Sequence, residues 1–218
     1  MADGQPKRYR QWISYQALLL GGFSTLATAL LVAGNLATRD AIEARHRDDL
    51  QASLSQVIPA SAHDNDLLEN PLSLAGPEGK TLTVYRGTRR SQVSALAWEI
   101  SGQGYAGEIR LLLGLDTDGR ILGVRVLSHA ETPGLGDRIE VEKDDWILEF
   151  DGLSLGNPPR SQWKVKKDGG RFDAFSGATI TPRAVVQSIT AGLAFFERHQ
   201  GELLASPAAG LEKQESTR

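Results

Sequence analysis

Between Gln11 and Thr38 no charged residue interrupts the chain, and Ile13 to Leu36 consists mostly of leucine, alanine, glycine and valine. A helix of that length spans a hydrocarbon core of ~30 Å, which predicts a transmembrane helix over 11–37. Trp12 and Tyr15 stand at its start, where amphipathic aromatics suit the membrane interface. A cleaved signal peptide processed near Ala27-Thr28-Ala29 is the competing reading. The apolar run continues through Leu30, Leu31 and Val32 and favours a retained anchor. From Thr38 to Val57 the apolar positions Ile42, Leu50, Leu54 and Val57 are set among charges, which predicts a stalk helix that Pro59 ends. Residues 60–80 carry Pro71, Gly76, Pro77 and Gly79 and read as a loop, so 38–80 is stalk and linker.

The period then changes from helical to two. Thr81–Tyr85 and Val93–Ile100 are expected strands, followed by a glycine-rich turn over 101–107. Ile109, Leu111, Leu113 and Leu115 alternate along one strand, and Leu122, Val124 and Val126 along the next. Asp116-Thr117-Asp118-Gly119 joins them as a hairpin connection. Ile139–Phe150 is an expected short helix with Trp146 and Phe150 inward, and 151–162 a polar loop with Pro158-Pro159. In the last helix Val185, Val186, Ile189, Leu193 and Phe196 recur on one face. Thr181-Pro182 reads as its cap and first residue. The pattern is α+β: an anchor and stalk, then one domain over 81–204 with a mostly antiparallel sheet and flanking helices. A frayed tail over 205–218 closes the chain.

Charge sets the orientation. Lys7, Arg8 and Arg10 lie in the short segment 1–10 before the span, while Arg39, Arg45 and Arg47 are mixed with acids after it. The positive-inside rule puts 1–10 in the cytoplasm and the domain outside. A net charge of −3 leaves no nucleic-acid footprint. Cysteine is absent, which removes disulfides, thiolate nucleophiles and thiolate-held iron–sulfur clusters. The four histidines, His46, His63, His129 and His199, are scattered without metal-ligand spacing, so no metal is expected. No nucleophile–base pair, acid–base pair or dinucleotide fingerprint appears, and no stand-alone catalytic site is expected.

Two stretches carry the candidate chemistry. In Asp173-Ala174-Phe175-Ser176-Gly177-Ala178-Thr179 the last residue follows a run of small ones, just before a helix whose N-terminus favours an anion. The plain alternative is that these residues only cap a helix. The second stretch, Glu131-Thr132-Pro133-Gly134-Leu135-Gly136, contains a Pro-Gly turn that brings backbone close to a ligand. Lys164, Lys166, Lys167 and Arg171 precede the first stretch, either as a solvated face or as partners for a phosphate.

The first stretch resembles the flavinylation motif D-x-x-S/T-G-A-T, and the second the E-T-P-G-L-G segment of FMN-binding domains that carry the motif. Anchor, stalk and domain together resemble the G subunit of the bacterial Rnf electron-transport complex, a relative of the C subunit of Na+-translocating NADH:quinone reductase. The resemblance implies a membrane-bound ferredoxin:NAD+ oxidoreductase and translocase, in which this chain carries electrons on one covalent FMN. It implies a phosphoester to Thr179, recognition through Asp173, Ser176, Gly177 and Ala178, and ring or phosphate contacts from Glu131, Thr132, Pro133, Gly134 and Leu135. The implied partners are other membrane subunits, a flavin transferase during maturation and membrane lipid. The implied place is the bacterial inner membrane, single-pass, with the domain in the periplasm. The alternatives are a flavoprotein like that of the NADH:quinone reductase and an anchored flavin redox sensor.

Overall fold

The computed structural model describes residues 13–76, 79 and 81–205. The readings of 1–10, of Trp12 and of the tail beyond Ala205 fall outside the described residues. Helix α1, Ile13–Val57, runs unbroken through the predicted anchor and stalk. Its residues up to Asp49 form one unit, and a second unit begins at Leu50. In the first unit Tyr15–Arg39 is long and apolar enough to cross a membrane, with none of it buried. The hydroxyls of Thr25, Thr28 and Thr38 donate to the carbonyls four residues earlier at 2.8, 2.9 and 2.9 Å. These polar side chains thus bring no unpaired donor to an apolar surface.

The second unit is built on an antiparallel sheet whose strands lie side by side in chain order. They are β1 (Leu72–Ala75), β2 (Thr81–Arg89), β3 (Gln92–Gln103), β4 (Glu108–Asp116) and β5 (Ile121–Ser128). β1 lies inside the stretch expected to be a loop. Only Leu72 and Leu74 alternate there, between Pro71 and Gly76, too short a run to register as a strand by itself. Its pairing with β2, Leu72 opposite Val84 and Leu74 opposite Leu82, makes the element.

One face of the sheet packs against α2, Ile180–Leu203. The helix buries Val185, Val186, Ile189, Leu193, Phe195 and Phe196 in one core with Leu96, Trp98, Leu111 and Leu113. The opposite face packs against the end of α1, where Leu54, Val57 and Ile58 meet Leu67, Ala95, Ala97 and Leu112. A hollow in the sheet receives that helix end. Gly114 of β4 lies directly opposite Gly123 of β5, and Val57 sits over the pair. A Cβ on Gly114 would lie 3.0 Å from the Val57 carbonyl carbon, and one on Gly123 would lie 3.0 Å from its Cα.

Three local expectations need correction. Residues 139–150 do not form one helix but two 3-10 turns, Asp137–Ile139 and Asp145–Phe150. Between them Asp144 is extended, and its carboxylate accepts the Trp146 N–H at 3.0 Å, which starts the second turn afresh. Trp146 and Phe150 are buried as expected. Second, the polar loop after Phe150 sends Leu153 and Leu155 into the core. Reciprocal bonds of 2.8 Å between Ile121 and residues 152–153 fasten it to β5. Third, α2 begins at Ile180 with Thr179 at the cap position, two residues before the expected start. Pro182 then lies in the first turn, where its missing N–H removes no intrahelical bond.

Filling the glycine hollow is expected to be costly because the opposing atoms are backbone. Gly114→Val should lower stability by ~2–3 kcal/mol. Gly201→Ala, at an open position on α2, should raise it by about 0.5–1 kcal/mol. Thermal melts followed by far-ultraviolet circular dichroism compare the two.

Candidate functional site

Each motif folds into the same kind of turn. In Thr132–Leu135 the Leu135 N–H donates to the Thr132 carbonyl at 3.1 Å, with Pro133 second and Gly134 third at φ +78°. In Phe175–Ala178 the Ala178 N–H donates to the Phe175 carbonyl at 3.2 Å, with Gly177 third at φ +82°. A positive φ at the third position is what a type II turn requires, and glycine meets it without strain. The turns touch at their tips. A Cβ on Gly177 would lie 3.7 Å from Leu135 Cδ2. Beneath the second turn Phe175 is buried, with Trp146 edge-on at 5.2 Å and the Arg138 guanidinium 4.9 Å from its centroid. Trp146 Nε1 donates to the Asp173 carbonyl at 3.0 Å and fixes the start of the motif.

Thr179 is half-buried, and its side chain makes no capping bond to α2. Its oxygen instead accepts from Lys167 Nζ at 2.7 Å. The simple cap reading therefore fails at the atom it concerns. Lys167 comes from the 3-10 turn Lys166–Asp168, which is pinned on two sides. Lys166 Nζ meets the Asp173 carboxylate at 2.7 Å, and Arg183 in the first turn of α2 donates to both Asp168 oxygens at 2.6 and 2.8 Å. The Arg183 hydrogen bonds and charge hold the Asp168 carboxyl below its usual range. Of the four basic residues singled out in sequence, the fold brings Lys167 to Thr179 and Lys166 to Asp173. Ser176 and Gly177 are exposed and Ala178 is half-buried.

In the other motif Thr132, Pro133, Gly134 and Leu135 are exposed, but Glu131 is not. Its side chain is buried, with one carboxylate oxygen accepting the Ala106 N–H at 3.0 Å and the other the Thr181 hydroxyl. Gly104 and Gly136 leave the room: a Cβ on Gly136 would lie 2.9 Å from Glu131 Oε2, and one on Gly104 would also strike that carboxylate. Thr181, read from sequence as a cap, is therefore the partner of a buried acid. Farther along, Asp137 is buried, and Lys143 at 2.7 Å and the Gly134 N–H hold its carboxyl below the usual range. Glu140 is held low in the same direction by His129 at 2.6 Å and by Lys143.

Sequence reasoning passed over a third feature. Among the described residues from Leu50 onward, the large hydrophobic side chains left exposed are Tyr105, Leu135 and Ile180, at 71, 44 and 45%. Tyr105 lies on the turn whose Ala106 is bound by Glu131, Leu135 in the Thr132–Leu135 turn, and Ile180 directly after Thr179. The signal was Tyr105 itself, an aromatic standing alone in a turn of small residues. A cavity of about 540 Å³ opens elsewhere, where β2 and β3 part beyond Val84 and Trp98, and neither motif lines it.

Two changes test this arrangement. Glu131→Ala leaves the Ala106 N–H and Thr181 hydroxyl without their partner, an expected loss of ~1–3 kcal/mol for each group left unsatisfied. Equilibrium urea unfolding of the full chain measures it. For acid, the low carboxyl pKa values of Asp137 and Glu140 contribute stability that is complete above the ordinary values of 3.8 and 4.5 and is lost as pH falls below them. Lys143→Met removes a partner of both, so its acid-unfolding midpoint should move to higher pH than that of the unaltered chain.

The FMN-binding domain family matches residues 104–194. The chain is 52% identical over 199 residues to the G subunit of the ion-translocating oxidoreductase complex of Cereibacter sphaeroides, covering 90% of this chain and 91% of that one. It is 48% identical over 195 residues to the corresponding protein from Stutzerimonas stutzeri, covering 89% and 86%. Among solved structures, NqrC of Shewanella oneidensis is 26% identical with a TM-score of 0.45, over 67% of this chain and 74% of that one.

Proposed function

The chain belongs to the family of G subunits of the ion-translocating oxidoreductase complex, and on that premise we propose that it is the complex's anchored electron carrier, holding FMN by a phosphoester to Thr179. The observation that carries the reading is the state of the Thr179 oxygen. It takes no part in capping the helix and lies 2.7 Å from an ammonium group that suits a phosphate. The residues present fit the cofactor. Lys167 and the N–H groups at the start of α2 suit the phosphate, and the exposed side chains of Leu135, Tyr105 and Ile180 leave apolar surface for a flat ring.

The roles divide accordingly. Thr179 is the tether, and Asp173, Ser176, Gly177 and Ala178 are the residues that a flavin transferase reads, with Ser176 and Gly177 exposed. Thr132, Pro133, Gly134 and Leu135 present backbone and an apolar tip to the ring, while Glu131 holds their turn in place. FMN supplies the electron transfer, and the protein supplies position and electrostatics. The helix over Tyr15–Arg39 serves as a single-pass anchor in the bacterial inner membrane. Positive residues before it put the domain on the periplasmic side. There the chain passes electrons between other membrane subunits during ferredoxin-linked NAD+ reduction. A tether suits this place, because a cofactor lost outside the cytoplasm is not recovered.

Intact mass of the full chain, matured beside a flavin transferase, is the test. The chain should be heavier than its polypeptide by one FMN less one water. Thr179→Val should show no increment, and Lys167→Met a reduced labelled fraction. An increment that persists in Thr179→Val, or a matured wild-type chain with none, overturns the assignment.

A further inference from the structure

The turn that carries Leu135 is held at its start by a chain of polar side chains that runs on to Asp137 just beyond its end. At its start the Glu131 N–H donates to His129 Nδ1 at 3.0 Å. Just beyond its end Asp137 is buried and bound by Lys143. Glu140 and Lys143 join these anchors: His129 Nε2 lies 2.6 Å from Glu140 Oε1, and Lys143 Nζ lies 3.3 Å from Glu140 and 2.7 Å from Asp137. No step of the function above uses His129, although its side chain is only 10% exposed and it stands two residues before Glu131.

The geometry fixes the imidazole tautomer. A backbone N–H can only donate, so Nδ1 accepts and carries no proton. Nε2 then carries the proton and donates to Glu140. A second proton has only Nδ1 to occupy, where it would face the Glu131 N–H, donor against donor at 3.0 Å. One of the two must move. Glu140 favours the charged ring and the Glu131 N–H opposes it. Lys143 and Asp137, behind Glu140, are the other charged groups of the circuit.

We propose that His129 is a positioning residue for the flavin: its neutral form holds the Glu131 backbone and the Leu135 turn against Gly177, and its protonated form releases them. The inference rests on the reading of Thr179 as tether only for its effect on the flavin. The hydrogen bond itself belongs to the polypeptide.

The test uses the full chain in detergent micelles and reads two signals. The first is the Glu131 amide resonance in the Thr179→Val chain, which cannot carry the proposed flavin. It should move along a single-proton curve as the pH is lowered. The second is the visible circular dichroism of bound flavin in the otherwise unaltered matured chain, which should follow the same curve. In His129→Asn the Oδ1 replaces Nδ1 as an acceptor that does not titrate, so both signals should stay at their high-pH values throughout. In His129→Gln that acceptor is lost, and both should be independent of pH and displaced from the high-pH values. A Glu131 resonance that stays fixed as the pH is lowered, or that moves equally in His129→Asn, overturns the proposal. If that resonance titrates while the flavin band stays fixed, the positioning role fails and the tether stands. A matured chain without flavin removes the tether and with it the flavin effect, whereas the amide titration still decides the hydrogen bond.

Discussion

A buried carboxylate holds the two halves of the site in register. Glu131 comes from the turn after β5, binds the turn between β3 and β4 through Ala106, and binds the first turn of α2 through Thr181. These three segments are far apart in sequence. An acid removed from water needs a donor for each oxygen, and this one has both. The requirement propagates outward. Gly104 and Gly136 must lack side chains for the carboxylate to fit, and α2 must start where the Thr181 hydroxyl reaches it. With that start fixed, Thr179 falls at the cap position with its oxygen facing Lys167. The position of the candidate tether is thus decided by an acid far away along the chain.

Much of the architecture was legible because it rests on periodicity. The charge-free run, the alternation in β4 and β5 and the apolar face of α2 each repeat over enough residues to be read alone. Elements that depend on a partner were not legible. β1 is four residues long and becomes a strand only by pairing with β2. The stretch after Ile139 has helical spacing, but the Asp144 carboxylate takes the Trp146 N–H and divides it. At the site, both motifs were visible as residue types, yet the work done by individual members was not. Glu131 read as a ligand contact through the resemblance of its segment, and its burial beneath the turn depends on partners distant in sequence. Nothing local announces Thr181 as its partner. Thr181-Pro182 has the composition of a helix start, and that composition misplaced the start by two residues.

Charge around Thr179 follows the same division. A run of lysines close in sequence is ordinarily a solvated face. Here a 3-10 turn separates their directions, so that Lys166 reaches Asp173 and Lys167 reaches Thr179. Arg183 and Asp168 tie that turn to α2, the helix that follows Thr179, so ammonium and hydroxyl are held on one frame. These ion pairs are partly exposed and each contributes little to stability. Their effect is geometric: they set which cation stands beside the Thr179 oxygen.

The hollow formed by Gly114 and Gly123 bears on where the chain can be cut. Val57, at the end of α1, fills it, and residues 50–58 belong to the folded body although α1 begins in the first unit. A water-soluble fragment beginning at the first long strand would uncover Ala95, Ala97 and Leu112 together with the bare glycine floor. Contiguous apolar surface of that kind drives self-association. A boundary placed before Leu50 keeps the plug with its socket and gives the fragment a finished surface.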